Sequence, residues 1–243
     1  MRYLLIFMFC VALFVVGKRS CHISGAHWGL GTRGEGPAKT ETRAVSGFHG
    51  VDLQISGDVE VSVAEQFSVE VQAQENLLPL LKTEVENGTL RIYFSESVSY
   101  SNDVKVKISG PAFDRFSIGG SGSLRVLTPI TSDKMDLGIA GSGDIYLPQA
   151  TLQSAECSIA GSGSINLGGT ANLIKSDIAG SGDIKAKDLT VNNLEAEIAG
   201  SGSVTANVMQ TLKADISGSG DVFYTGQPAV NAHVSGSGSV KKI

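Results

Sequence analysis

Apolar residues return at nearly constant intervals along the second half of the chain. One column lies two residues before each copy of a Gly-Ser-Gly motif, and a second column lies two residues after it. The first column is Ile118, Ile139, Ile159, Ile178, Ile198, Ile216 and Val234, and the second is Leu124, Ile145, Ile165, Ile184, Val204, Val222 and Val240. Around both columns apolar and polar residues alternate, which predicts a short strand, a glycine-rich corner and a second short strand in every unit.

The motif occurs seven times, each time followed by Ser or Asp and then an aliphatic residue, at successive spacings of 21, 20, 19, 20, 18 and 18 residues. Its glycines are Gly120 and Gly122, Gly141 and Gly143, Gly161 and Gly163, Gly180 and Gly182, Gly200 and Gly202, Gly218 and Gly220, and Gly236 and Gly238. A regular period over many copies is the signature of a repeat architecture.

Two strands of four or five residues cannot bury an apolar face alone, but identical units can do so by stacking. The chain is therefore predicted to be all-β, a parallel, right-handed β-helix-like solenoid with about 18–21 residues per coil. Glycine is expected at the corner because a positive φ is cheap only for glycine and because a Cβ would collide with the neighbouring coil. The serine between the glycines is expected to satisfy backbone groups at the bend.

The chain divides into four predicted segments. Residues 1–21 combine a charged start with an apolar run, Leu4 to Val16, that has the length of a signal segment and is short for a membrane span. Cys21 is a possible lipidation site, although Lys18 and Arg19 depart from a lipoprotein signal, so ordinary cleavage and an uncleaved anchor remain alternatives. Residues 22–44 are expected to form a glycine-rich tether, residues 45–110 the first strands of the β domain, and residues 111–243 the repeat solenoid.

The residue after the second glycine alternates strictly between Ser and Asp. It is Ser123, Asp144, Ser164, Asp183, Ser203, Asp221 and Ser239 in turn. If coils stack in register, equal charges in neighbouring coils would lie about 5 Å apart, and alternation with serine doubles that distance. Charge separation is the favoured explanation. The alternative is a row of cation sites at Asp144, Asp183 and Asp221.

Composition and chemistry exclude several functions. A net charge of -5 without basic runs argues against nucleic-acid binding. The glycine-rich corners lack the Gly-Lys-Ser/Thr and the helix of a phosphate-binding loop, and their period is too long for the nonapeptide calcium repeat. His49 and His233 lie far apart in the sequence, and Cys157 is expected to be a small core residue. No catalytic, cofactor-binding or metal site is predicted.

The sequence resembles the head GIN domain family of putative autotransporter adhesins of bacterial envelopes. The resemblance rests on the opening Phe48-His49-Gly50-Val51, on Asn87-Gly88-Thr89-Leu90-Arg91-Ile92 and on the Gly-Ser-Gly-Ser/Asp repeats, and it covers roughly residues 45–243. It implies a β-helix-like fold and an adhesin-like role, and it brings no catalytic residues.

Two functional hypotheses follow. The first is a non-catalytic exported protein of the cell envelope, adhesin-like or structural, located in the periplasm, outer membrane or cell surface. Its expected partners are an envelope protein or a glycan, and membrane contact is expected only through the N-terminal segment. The alternative is a carbohydrate-binding or carbohydrate-cleaving β-helix, which exposed aromatic residues would favour; within the repeats only Tyr146, Phe223 and Tyr224 are available.

Overall fold

The computed structural model describes residues 31–100 and 104–243. The predicted signal segment and Cys21 lie outside the described residues. Within the described part the chain is all-β without a helix, and it forms a β-solenoid of about six turns of stacked parallel strands. No helix in that part is both long and apolar enough to cross a bilayer. The predicted fold class is confirmed.

Nineteen strands make up the described part of the chain. They are β1 (Thr32–Arg33), β2 (Ala38–Thr42), β3 (Gly50–Leu53), β4 (Gly57–Val63), β5 (Ser68–Gln74), β6 (Leu81–Glu86), β7 (Thr89–Phe94), β8 (Val98–Tyr100), β9 (Val104–Gly110), β10 (Arg115–Ile118), β11 (Ser123–Val126), β12 (Ile130–Gly141), β13 (Asp144–Gly161), β14 (Ser164–Gly180), β15 (Asp183–Gly200), β16 (Ser203–Gly218), β17 (Asp221–Gly226), β18 (Ala229–Gly236) and β19 (Ser239–Lys242).

The repeats stack in register, and the glycines set that register. Gly141 is aligned with Gly161, Gly161 with Gly180, and Gly180 with Gly200 in parallel pairings. The inward apolar residues of successive coils therefore lie above one another and form one continuous core. Their alternation breaks twice per coil in addition to the Gly-Ser-Gly corner, which divides each coil into three faces. Face 1 precedes the corner, face 2 follows it, and face 3 leads back to face 1. In β13, residues 144–147 lie on face 2, residues 150–152 on face 3 and residues 155–159 on face 1.

The first half of the domain adds coils to the same stack in a different order from the sequence. β3 and β4 pair in parallel with β10 and β11 on one side. On their other side they pair in parallel with β7 and β9. The β7–β9 coil follows β3–β4 in the chain but lies outside it in the stack.

Antiparallel strands close this N-terminal end. β5 pairs with β9, β2 pairs with β5, and β6 pairs with β7. The turn between β5 and β6 places Leu77 and Leu78 in the core, where both are fully buried. β2 lies inside the segment predicted to be a flexible tether, residues 22–44. Residues 38–42 of that segment are thus part of the sheet, because their backbone pairs with β5.

Candidate functional site

The seven Gly-Ser-Gly corners lie along one edge of the solenoid. From the second copy onward, the first glycine of the motif has a φ between 127° and 145°, a region that side chains disfavour. A Cβ on Gly180 would also lie 2.5 Å from the carbonyl oxygen of Gly161 in the preceding coil. Both expected reasons for glycine therefore hold at this position.

The second glycine of each motif is required for space alone. Gly182 is not among the residues with positive φ, so the expected strain does not apply there. A Cβ on Gly182 would lie 2.5 Å from Cγ2 of Ile159 and 2.8 Å from the carbonyl oxygen of Gly163. The serine between the glycines acts through its backbone, as when the N–H of Ser181 donates to the carbonyl oxygen of Gly161 at 2.9 Å.

The alternating Asp and Ser residues form a ladder of side-chain hydrogen bonds on face 2, called here the Asp–Ser ladder. The hydroxyl of Ser203 donates to Oδ1 of Asp183 at 2.6 Å, and the hydroxyl of Ser123 donates to Oδ1 of Asp58 at 2.6 Å. Ser164 donates to Asp144, and Ser239 donates to Asp221, in the same way. Ionised aspartate only accepts hydrogen bonds and serine can donate, so the alternation pairs each carboxylate with a donor from the next coil.

Asp58 is a member of this ladder that the sequence pattern missed. It follows Ser56-Gly57, and its coil lacks the first glycine because Ile55 occupies that place. Asp58 is aligned with Ser123 of the first complete repeat. A search for Ser-Gly-Asp followed by valine would have found it. The cation-site alternative for Asp144, Asp183 and Asp221 stays a prediction; across residues 31–100 and 104–243, no three metal-ligating side chains form a cluster.

Face 1 carries two outward rows of charge. In the first, opposite charges meet: Arg115 lies 3.1 Å from Asp136, and Lys175 lies 3.9 Å from Glu195. In the second row, Asp177 is aligned with Glu197 and Glu197 with Asp215. This acidic row places three like charges in consecutive coils, which is unfavourable. The charge separation inferred for the Asp–Ser ladder is therefore not a general rule of this surface.

Face 3 presents a row of exposed hydroxyl groups. Thr131, Thr151, Thr170 and Thr190 are aligned in consecutive coils and are all exposed. Coil stacking spaces them about 4.8 Å apart. These four residues are called here the threonine row. They were not singled out from the sequence, because the coils differ in length and the alignment of residues far from the glycine corner becomes visible only in the structure.

A groove of about 550 Å³ runs along the bend between face 3 and face 1. Its lining combines the uncharged polar residues Asn172, Asn193, Thr211 and Asn231 with the charged residues Glu195 and Lys213, and Leu173 adds apolar surface. Thr211 donates to Oδ1 of Asn193 at 2.6 Å, so two of these groups hold each other in place. The groove could accept a neutral polar ligand through its remaining amide groups.

The remaining candidates have local structural roles. Cys157 is buried as predicted, and burial raises the pKa of its thiol to about 12, which suppresses the reactive thiolate. Nδ1 of His49 lies 2.8 Å from Oδ1 of Asp114, joining the start of β3 to the segment before β10. His233 is exposed on β18 and is aligned with the exposed Asp215 of β16.

Comparison with known proteins gives one family match and several structural neighbours. Residues 47–228 match the family described as "Putative auto-transporter adhesin, head GIN domain". A "putative adhesin" of Bacteroides fragilis NCTC 9343 is 25% identical with a TM-score of 0.81, and the alignment covers 87% of this chain and 99% of that one. A "putative lipid binding protein" of Parabacteroides distasonis ATCC 8503 is 30% identical with a TM-score of 0.74, covering 87% and 98%. A search of curated proteins found no match.

Proposed function

The chain belongs to the family described as "Putative auto-transporter adhesin, head GIN domain". We propose that it is a non-catalytic, exported protein of the cell envelope that adheres through face 3. The threonine row is the observation that carries this proposal. It offers four exposed hydroxyl groups in consecutive coils, of which that of Thr190 also accepts a hydrogen bond from Nδ2 of Asn207. Such a surface suits repeated weak contacts with an extended partner. Many weak contacts on one rigid body give high avidity.

The chemistry of face 2 supports a non-catalytic role. A carboxylate that acts in acid–base catalysis must be within hydrogen-bond reach of the substrate proton that it transfers. In the Asp–Ser ladder, each carboxylate of a repeat accepts a hydrogen bond from a serine hydroxyl of the adjacent coil, as Asp183 does from Ser203. These side chains are committed to holding coils together.

The adhesion proposal is tested with purified protein coated on beads and offered to mucin, to epithelial cells and to phospholipid vesicles. Replacing Thr151, Thr170 and Thr190 by Val removes the hydroxyl groups and keeps the β-branched shape that strands favour. We expect bead adhesion to be lost. Thr205→Val on face 2 is the matched control and should adhere like the wild type. Equal adhesion by the triple variant would refute the role of face 3.

A carbohydrate-binding role is the second candidate, and the groove favours it. The Nδ2 group of Asn172 and the amide of Asn231 are neutral groups of the kind that sugar hydroxyls require. A glycan array probed with the wild type and with Asn231→Ala tests this role, with Asn166→Ala on face 2 as the control. Binding lost only in the Asn231 variant would support it. Vesicle binding without glycan or cell binding would instead favour the activity by which the Parabacteroides neighbour is described.

A further inference from the structure

The C-terminal end of the solenoid is open, in contrast to the N-terminal end. In the described part of the chain β18 pairs only with β16, and β19 pairs only with β17. No strand covers their outer edges. Val230 and Val234 are 43% and 37% exposed, although Leu212 and Ile216 directly beneath them are 1% and 0% exposed. The last coil therefore exposes the apolar positions that every earlier coil buries.

The two ends also differ in how their edge strands are protected. At the N-terminal end, β2 carries Lys39 and Glu41, and β6 carries Lys82, Glu84 and Glu86. Charged residues on an edge strand oppose pairing with another chain. At the C-terminal end β19 carries Lys241 and Lys242, whereas β18 contains no Lys, Arg, Asp or Glu in its eight residues. It is the edge on which pairing is least opposed.

The sequence of β18 is complementary to itself. In an antiparallel pair centred on Ala232, Val230 of one copy faces Val234 of the other, and Asn231 faces His233. Apolar inward positions then meet apolar ones, and polar outward positions meet polar ones. Two copies that join by the same edge must run antiparallel, because a two-fold axis relates them.

Charges next to this edge do not oppose the same arrangement. In β16, Lys213 lies beneath Asn231 and Asp215 lies beneath His233. Across the two-fold axis, Lys213 of one copy lies three strand spacings, about 14 Å, from Asp215 of the other, so this pair contributes little to the contact. No like-charged pair is created along β18.

We propose that a second copy of this chain covers the open end, with β18 of one copy pairing antiparallel with β18 of the other about Ala232. The resulting dimer is closed, because the capped and charged N-terminal ends point away from each other. It continues the core of one solenoid into the core of the other and places the β2 and β6 strands of the two copies at opposite ends of the assembly.

Paired charge variants test the register of this contact in the full chain. The double variant Val230→Lys with Val234→Lys places lysine opposite lysine, whereas Val230→Lys with Val234→Glu places lysine opposite glutamate twice. Sedimentation velocity over about two decades of concentration should show a monomer–dimer equilibrium for the wild type. We expect the first variant to weaken it about tenfold or more and the second to restore most of the loss.

A disulfide test gives an independent readout of the same pairing. Directly opposed residues in antiparallel strands have Cα atoms about 4.5–5.5 Å apart, within the range for a disulfide. Ala232→Cys should therefore form a covalent dimer on oxidation, above the background of the wild-type cysteines. Ser235→Cys is the control and should not, because its partner position is Ala229.

Four results would overturn the proposal. They are a wild type that stays monomeric at every concentration, equal association by the two charge variants, equal cross-linking by the two cysteine variants, and capture of a different protein by the β18 edge with no self-association. Circular dichroism of each variant is the control that separates a loss of association from a loss of fold.

Discussion

Ser203→Asp would test the Asp–Ser ladder most directly, because Ser203 lies between Asp183 and Asp221 in the stack. The substitution removes the hydroxyl that donates to Asp183 and places a third carboxylate between two others. The lost hydrogen bond is worth about 1 kcal/mol. Each new pair of like charges, about 5 Å apart, adds about 1 kcal/mol in a water-like medium and about 3 kcal/mol at an effective dielectric constant of 20.

The side chain of Asp183 is 41% exposed, so the lower end of this range applies. We therefore expect Ser203→Asp to lower the free energy of unfolding by about 3 kcal/mol, measured by urea denaturation. Ser203→Asn is the matched control, because it has nearly the same shape as aspartate, keeps a donor and carries no charge. It should lower stability by less than about 1 kcal/mol.

Salt and calcium separate the two explanations of the ladder. At 1 M salt the screening length is about 3 Å, so most of the difference between the Asp and Asn variants should disappear. A row of cation sites predicts the opposite sign, with the Asp variant stabilised by millimolar calcium. Equal stability of the two variants at low salt would refute the charge argument, and a calcium-dependent rise in melting temperature of the wild type would establish a binding site.

Three further predictions use other parts of the stack. Gly182→Ala should lower the free energy of unfolding by about 1–3 kcal/mol, measured in urea titrations, because the new Cβ would collide with Ile159 and with the backbone of Gly163. Ser181→Ala is the control and should change it by less than about 0.5 kcal/mol. Equal losses in the two variants would contradict the explanation that Gly182 is required for lack of space. Glu197→Lys should raise the melting temperature because it places a positive charge between Asp177 and Asp215 of the acidic row. Glu195→Lys should lower the melting temperature because the new lysine faces Lys175. A lower melting temperature in both variants would refute the role of charge. Burial raises the pKa of the Cys157 thiol to about 12, so this thiol stays protonated in the folded protein after the same thiol in the unfolded chain begins to ionise near pH 9. The free energy of unfolding should therefore fall between pH 9 and 12. If Cys157→Ala shows the same slope of stability against pH in this range, the argument is wrong.

The regular part of the fold could be predicted because a single local requirement recurs in every coil. Glycine is needed at each corner, and the register of the stack follows from aligning Gly141, Gly161 and Gly180. The turn at Asn87-Gly88 was likewise predictable, and both residues have positive φ, at 50° and 75°.

The irregular part could not be predicted because it depends on contacts between distant segments. The alternation of apolar and polar residues in β6 is weak, because the strand contains only two apolar residues, Leu81 and Val85, among charged and polar ones. Its place in the sheet is set by its pairing with β7. The position of the β7–β9 coil outside β3–β4 reverses the order of the chain, which no periodic pattern reports. The Asp–Ser alternation was visible, but the side-chain geometry was needed to show which neighbouring coil each serine bonds, as Ser203 bonds Asp183 and not Asp221.

The three faces differ in how strongly their outward side chains join adjacent coils. On face 2 each carboxylate of the ladder is bonded to the next coil, and on face 1 ion pairs such as Lys175–Glu195 join adjacent coils. Changes on these faces alter stability first. The hydroxyl groups of the threonine row on face 3 are exposed and could be changed while the strands stay paired through their backbones. Residues that determine ligand specificity are therefore expected on face 3 and in the groove beside it, because they can change there while the fold stays stable.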